Sequence, residues 1–541
     1  MHAKTPTGFL WGSRSARPLS PPEVARLQRV FAECYGGAPS DWLYADDARG
    51  SRLHRQGDIL QTPVHEGYQL GPWVSDTLLA LLALDEARAL QPDNAVIAAY
   101  ACATRPLTNE RTARQGLTRL HALNGRTLDA SGAWISQRAT PPEEPRLERA
   151  FLCLDTAAEA LRDALRESLR AIAVEQEHRQ MSGGPTEVAL ELSGGLDSTL
   201  VGAIAREVFP SLRCVTVDGS AEGVHLDRPW AEEAARHLEL PHDVLSRQAL
   251  REIDASSPLN HAAPSLLPGD DSHRGLARYL AETHEVRLVL TGHGSDGLFA
   301  LSPSDARRQR QQWGNLTWLA QVAKMTKQRG GLPSTQWLRQ HFAQRNLRDR
   351  WDRMAPWYAL DLEAELRESM EQQYAYRDAW ETYWHGVFFP ALAAQQHPGV
   401  SGRPLWHAHP FRSQKVVELS RQIPPWPVFD QKAIVRRALE QEGLSTIAAR
   451  PKETGTLADP EGLTASHQDL QRSGTQAKHL RTLAEQIEGL REDPATYAHD
   501  WLDPSALRHA FSHWQRYPRI LRGQLPYTLG ALGWNTAPPH T

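Results

Sequence analysis

One run of residues limits this chain more than any other: Ser193-Gly194-Gly195-Leu196-Asp197-Ser198-Thr199-Leu200-Val201. It follows a short apolar segment, Val188 to Leu192, that reads as a buried parallel strand. It precedes Gly202-Ala203-Ile204-Ala205-Arg206, the early turns of a helix. A strand, a Gly-Gly turn and a helix N-terminus together make an anion site. Glycine lets backbone approach an oxyanion closely, and the first helical turn leaves N–H groups free to hold it. Ser193, Ser198 and Thr199 add hydroxyls. Asp197 breaks the pattern, because a carboxylate repels a phosphate unless a cation lies between them. Its presence implies Mg²⁺ shared with phosphate oxygens.

The run lacks the Gly-Lys-Ser/Thr ending of a Walker A loop. It resembles the SGGxDS loop of the PP-loop ATP pyrophosphatases, which implies cleavage of ATP between the α and β phosphates.

A second loop has related chemistry. The strand candidate Val286 to Leu290 leads into Thr291-Gly292-His293-Gly294-Ser295-Asp296-Gly297-Leu298-Phe299. Glycines at Gly292 and Gly294 permit a sharp turn at a strand end, and Asp296 then stands much as Asp197 does. Two aspartates from separate strand ends can share Mg²⁺ over a triphosphate.

Around these loops the pattern alternates. Leu154, Ala158, Leu161, Leu165, Leu169 and Ile172 fall on one face of a long helix. Arg213 to Asp218 reads as a strand, Pro229 to Leu238 and Arg274 to Thr283 as helices. This predicts an α/β parallel sheet with helices on both faces and ligands at the carboxyl ends of its strands. From residue 305 the chain reads as mainly helical. Residues before about 140 lack the alternation; they hold short runs such as Gly8 to Gly12 and Trp134 to Ser136, and a helical stretch from Ser75 to Arg88. The Pro-rich segment Ala139 to Pro145 reads as a linker. The expected division is residues 1–145, then 146–541, with an ATP-binding core over about 150–305 and a helical lobe over about 306–541.

At 541 residues more than one core is expected. A net charge of −4 offers no basic excess for nucleic acid. Cys34, Cys102, Cys153 and Cys214 form no CxxC pair, so a disulfide framework or zinc site is not expected. No signal peptide and no apolar run of membrane-spanning length is present, which suits a cytoplasmic protein. The 17 tryptophans, many after residue 310, suit clefts for bulky ligands.

The two loops together, SGGLDS and then TGxGSDxLF, resemble the synthetase domain of asparagine synthetase B and its relatives, among them β-lactam synthetases and lasso-peptide macrolactam synthetases. The resemblance covers roughly residues 150 to 455. It implies carboxylate adenylation by ATP, pyrophosphate release and capture of the acyl-adenylate by an amine. It also implies a glutaminase-like, N-terminal-nucleophile-type α+β domain before the synthetase domain, and there the chain departs. Glutamine-using members carry Cys after the initiator Met; here the residue is His2. The domain is therefore expected to be degenerate, and the amine not to come from glutamine. Asp-Glu in the second loop of asparagine synthetases becomes Asp296-Gly297.

The resemblance carries several further roles. Arg450-Pro451-Lys452 is similar to the segment that relatives place over the reacting centre, with Lys452 neutralising charge there. Lys432 matches a lysine that faces the ATP phosphates. Val217 lies on the strand whose backbone meets adenine, and Asp227 matches an acidic position near the nucleotide. His409-Pro410-Phe411-Arg412-Ser413 is similar to a segment shaping the carboxylate pocket. His293 occupies the loop position where β-lactam synthetases hold a tyrosine, and imidazole is suited to taking the amine proton. Nucleotide binding thus falls to Ser193, Gly194, Gly195, Asp197, Ser198, Thr199, Val217, Gly292 and Lys432, metal binding to Asp197 and Asp296, and catalysis to Lys452 and His293. The expected activity is lasso macrolactam closure on a precursor peptide, with a leader-peptide protease and a leader-recognition protein as partners. An ammonia-using asparagine synthetase and a β-lactam-type ligase remain alternatives.

Overall fold

The computed structural model describes residues 10–35, 40, 42–47, 50–55, 67–75, 78–103, 111–120, 124–138, 143–179, 187–218, 228–253, 270–299, 303–314, 318, 320, 323, 355–368, 380, 406–428, 432–450, 500–513 and 528. Lys452 and Asp227 lie outside them.

The first part of the chain is built on an antiparallel sheet. Strands β1 (Leu10–Gly12), β2 (Trp42–Asp47), β3 (Gly50–Arg55), β4 (Gly67–Leu70), β5 (Trp73–Ser75) and β6 (Leu117–Leu120) pair in the order β2-β3-β1-β5-β4-β6. β7 (Asn124–Leu128) and β8 (Trp134–Arg138) form a separate hairpin. Helices α1 (Pro21–Tyr35) and α2 (Leu78–Leu82) pack on this sheet, and α3 (Asn94–Ala103) follows in the chain. At the start of helix α1 the Glu23 carboxylate reaches back to Ser20, accepting from its backbone N–H and from its hydroxyl at 2.8 Å each. Leu10, Leu27, Phe31, Trp73 and Leu81 fill the core beneath. The expected helix from Ser75 needs correction. Ser75 ends β5, where it pairs with Leu10 and Tyr68, and the described helical turns of the segment are α2 over Leu78–Leu82 and a 3-10 helix over Asp85–Ala89.

The second part is the parallel sheet. β9 (Val188–Glu191), β10 (Leu212–Asp218), β11 (His242–Ser246), β12 (Leu288–Leu290) and β13 (Trp406–Ala408) pair in the order β11-β10-β9-β12-β13, each contact parallel. Each central strand sends alternate residues to opposite faces. Val188, Leu190, Cys214, Leu288 and Leu290 enter one core, while Ala189, Val215 and Val289 enter the other. A sheet buried on both sides requires such continuous apolar runs.

Helix α4 (Leu154–Arg179) lies on the first face, with Ala158, Leu161, Leu165 and Leu169 fully buried. Helices α5 (Leu196–Ala205) and α6 (Arg228–Leu238) join it there. α7 (Arg247–Ile253) and α8 (Asp270–Thr283) cover the second face through Leu250, Leu276 and Leu280. Short α9 (Ser295–Phe299) follows β12 and precedes α10 (Pro303–Trp313). Beyond β13 come α11 (Gln414–Gln422), α12 (Pro425–Val428), α13 (Ala433–Gln441) and α14 (Ser445–Ala448), which pack onto the first core, and then α15 (Pro504–His513).

The expected linker is tied down where it is described. Glu144 pairs with Arg308 and Arg421. Burial works against its charge, but the two guanidinium groups outweigh that and hold the carboxyl below the usual range. Another tie lies far off in sequence. The Thr528 hydroxyl accepts from Trp357 Nε1 at 2.8 Å and donates to the Ala101 carbonyl at 2.9 Å.

Candidate active site

The strand order reverses between β9 and β12, and a crevice at the carboxyl ends of parallel strands forms at such a switch point. Both Gly-rich loops leave the sheet there.

The first loop joins β9 to α5. Gly194 has φ +65°, and a Cβ on it would lie 2.3 Å from the Ala231 nitrogen and 2.4 Å from the Trp230 carbonyl carbon. Only glycine fits a left-handed turn pressed against the start of another helix. Hydroxyls brace the turn: Ser193 Oγ lies 3.2 Å from Ser198 Oγ and accepts from the Gly195 N–H at 3.3 Å. Helix α5 has no side-chain cap at Gly195. Two polar atoms in this loop, Asp197 Oδ1 and Thr199 Oγ1, are buried without a hydrogen-bond partner among the described residues. Buried polar atoms are normally satisfied, so orphans in an anion-shaped turn point to a ligand.

The second loop rests on the first. A Cβ on Gly292 would stand 2.6 Å from the Ser198 nitrogen, so the backbone of one loop touches the helix start of the other. Asp296 opens α9, with its side chain 71% exposed against 20% for Asp197.

Lys432 joins the two. Its ammonium pairs with Asp197 Oδ2 and lies 2.9 Å from Asp296 Oδ1. The residue is 4% exposed and takes a left-handed backbone, φ 57° and ψ 38°, immediately before α13. A lysine in that conformation is uncommon and is held by its surroundings. Two carboxylates converging on one cation form a donor set suited to Mg²⁺ shared with phosphate oxygens. No group of three or more His, Cys, Asp or Glu among the described residues could hold a metal by itself.

Val217 lies on β10 as expected, opposite Leu245 of β11. His293 is exposed, and its backbone N–H donates to Thr291 Oγ1 at 3.2 Å. The same hydroxyl lies 2.6 Å from His409 Nδ1. The two imidazoles meet edge to face, 5.8 Å between centroids. Burial, then Arg412, His293 and His407, push the His409 pKa well below its usual value, so this ring is neutral.

Sequence reasoning missed the role of β13. That strand sets His407 beside Val289 of β12, with its Nε2 3.8 Å from Glu191. It also missed the docking of Arg450, whose Nη1 donates to the Gly194 carbonyl at 2.6 Å. The signal available was the Arg-x-Lys segment itself.

The family model for asparagine synthase matches residues 161–525. The chain belongs to the asparagine synthase family. It is, in that general sense, an ATP-dependent amide-forming ligase with a mixed α/β fold. None of the curated proteins matches it. Among solved structures it is similar to the U34-tRNA thiolase NcsA from Methanococcus maripaludis, at 13% identity over 45% of this chain and 81% of that one, with a TM-score of 0.21. It is also similar to a predicted subunit of a tRNA methyltransferase from Methanocaldococcus jannaschii, at 18% identity over 35% of this chain and 88% of that one, with a TM-score of 0.15. Neither likeness bears on activity. Among the described residues no helix of this family member is long and apolar enough to cross a membrane.

Proposed function

We propose that this asparagine synthase family member closes a macrolactam ring on a ribosomal lasso precursor peptide. A side-chain carboxylate oxygen of the peptide attacks the α-phosphorus of ATP and pyrophosphate leaves. The peptide's α-amine nitrogen then attacks the acyl carbon. The nitrogen gives up a proton, AMP departs, and an isopeptide bond remains.

The observation that carries the adenylation reading is Lys432, buried between Asp197 and Asp296. It joins the two acidic loops into one site. In this reading the N–H groups of the first loop, with Ser193, Ser198 and Thr199, hold phosphate oxygens, and the orphaned Thr199 hydroxyl gains a partner. Mg²⁺ would be held by Asp197 and Asp296 and would neutralise phosphate charge. Val217 meets adenine through its backbone. Lys452 stabilises charge at the reacting centre, and His293 accepts the amine proton. The exposed position of His293 at the rim of the site supports that role.

A peptide substrate, supplied by a leader protease and a leader-recognition protein, is favoured by the 17 tryptophans, which suit clefts for a bulky ligand. Residues 1–145 then serve as a degenerate glutaminase-like domain, with the synthetase domain over 146–541.

The test is incubation with Mg²⁺, ATP and a leader-free precursor peptide. AMP, pyrophosphate and a peptide lighter by one water are expected. ADP and phosphate would overturn the PP-loop assignment. Asparagine formed from aspartate and ammonia, with no peptide product, would overturn the lasso reading alone.

A further inference from the structure

An anion site made of backbone has a problem that its N–H groups do not solve. Every inward N–H comes from a peptide whose carbonyl points away, and that carbonyl needs a donor of its own when it is buried. In the first loop the peptide in question joins Gly194 to Gly195. Gly194 is left-handed and pressed on Trp230 and Ala231, so no side chain of its own helps fix it.

The donor comes from residue 450. Arg450 is 8% exposed. Its Nη1 donates to the Gly194 carbonyl at 2.6 Å, and the guanidinium carbon lies 5.1 Å from the centre of the Trp230 ring. Planar stacking and a directed hydrogen bond together are what guanidinium provides and an ammonium does not. Arg450 is itself anchored. Its N–H donates to the Ile447 carbonyl at 3.0 Å, at the end of α14. Its own carbonyl accepts from Arg436 Nη1 at 2.6 Å, and the same nitrogen binds the Ala448 carbonyl.

From this geometry we infer that Arg450 is the positioning residue of the phosphate loop, holding the Gly194 carbonyl outward so that the Gly195 N–H stays turned to the inside of the loop, where it donates to Ser193 Oγ at 3.3 Å and where a phosphate oxygen would take that place. This rests on the first loop being the phosphate site. Without Arg450, a buried carbonyl loses a charged donor and the Gly194–Gly195 peptide is free to turn. A turned peptide would direct its oxygen at the phosphates. The site would then repel its ligand while the fold around it persists.

The experiment uses the full chain and α,β-methylene-ATP with Mg²⁺, an analogue that cannot be split at the expected bond. Losing a charge-assisted hydrogen bond to a buried group corresponds to on the order of 10- to 100-fold in affinity. Arg450→Gln should lose that much, Arg450→Lys about tenfold, since lysine keeps the charge but neither stacks nor fixes the carbonyl direction. Millimolar guanidinium should restore much of the Arg450→Gln affinity and leave wild type unchanged. Hydrogen exchange in residues 192–199 should rise in both variants more than in the rest of the chain, with cooperative unfolding retained. Wild-type affinity in both variants would overturn the inference, as would a loss that guanidinium fails to repair in a folded Arg450→Gln protein. If Arg450→Gln does not fold, the Arg450→Lys affinity and exchange decide. Wild-type protein that fails to bind the analogue would overturn the phosphate-site reading itself, a separate result.

Discussion

The two acidic loops have similar sequences and different mechanical situations. Ser193 to Thr199 is enclosed: Gly194 is pressed against α6, Arg450 holds its carbonyl, and Asp197 is largely buried. Thr291 to Phe299 leans on that structure from one side through Gly292, and Asp296 stays mostly in solvent. Both reach the same ammonium. A buried carboxylate is held by its neighbours, whereas an exposed one can move away or be replaced by water. The first loop is therefore the enclosed half of the pair, and the second the half with room to shift.

The carboxylates give the strongest test. Asp197→Asn should lower turnover by on the order of 10² to 10³, the cost of weakening the cation that neutralises charge at the reacting phosphate. Asp296→Asn should lose about tenfold, because water can serve in its place at an exposed position. Steady-state rates of AMP release measure both. Equal losses would break the contrast between enclosed and leaning loops.

The glycines come next. Gly194→Ala combines a left-handed backbone with a collision against backbone atoms, and strain of this kind costs about 1–3 kcal/mol. Gly292→Ala also collides, with the Ser198 nitrogen, but its loop has a solvent side toward which it can shift. Thermal unfolding should show the larger loss for Gly194→Ala. The reverse order would mean that the second loop is the rigid partner.

Acid sharpens the contrast on the second loop's flank. His409 is neutral in the fold, with its pKa pushed well below the usual imidazole value. The unfolded chain takes up a proton there near pH 6.5 and the folded one does not, so stability falls as pH drops below about 6.5. His409→Asn should flatten that part of a stability-against-pH curve measured by urea unfolding. An unchanged slope would mean that the titrating group lies elsewhere.

The smallest expected effect is that of His293→Ala. Pyrophosphate release should keep its rate, and ring closure should slow about tenfold, less than the full contribution of general base catalysis because solvent reaches the site. Single-turnover kinetics separates the two steps. If neither slows, His293 only shapes the loop.

Much of the enclosed loop was legible because its signals are local. Glycines, hydroxyls and an apolar run before a helix all fall within about fifteen residues. The same held for β10, α6 and α8, each within a few residues of its expected bounds. What sequence did not convey depends on pairing across distance. β13 is three residues long and exists because β12 lies beside it, yet it sets His407 and His409 near the site. β2 and β3 contain Asp46, Asp47, Arg52 and Arg55, a composition that announces no strand; their ladder with each other defines them. Lys432 was legible as a cation. Its burial and left-handed backbone were not, since α13 carries no capping side chain to mark them. The role of Lys452 rests on resemblance alone, as that residue lies outside the described structure.

The hydroxyl of Thr528 has a consequence in time. It binds the carbonyl of Ala101, 427 residues earlier, and the indole of Trp357. Synthesis runs from the N-terminus, so helix α3 leaves the ribosome long before Thr528 exists. The entropy of closing so long a loop grows only logarithmically with its length, so the finished protein loses little by this arrangement. The nascent chain bears the burden instead: its first sheet can assemble early, but the contact of α3 with Thr528 waits for the 427 residues after Ala101 to be made.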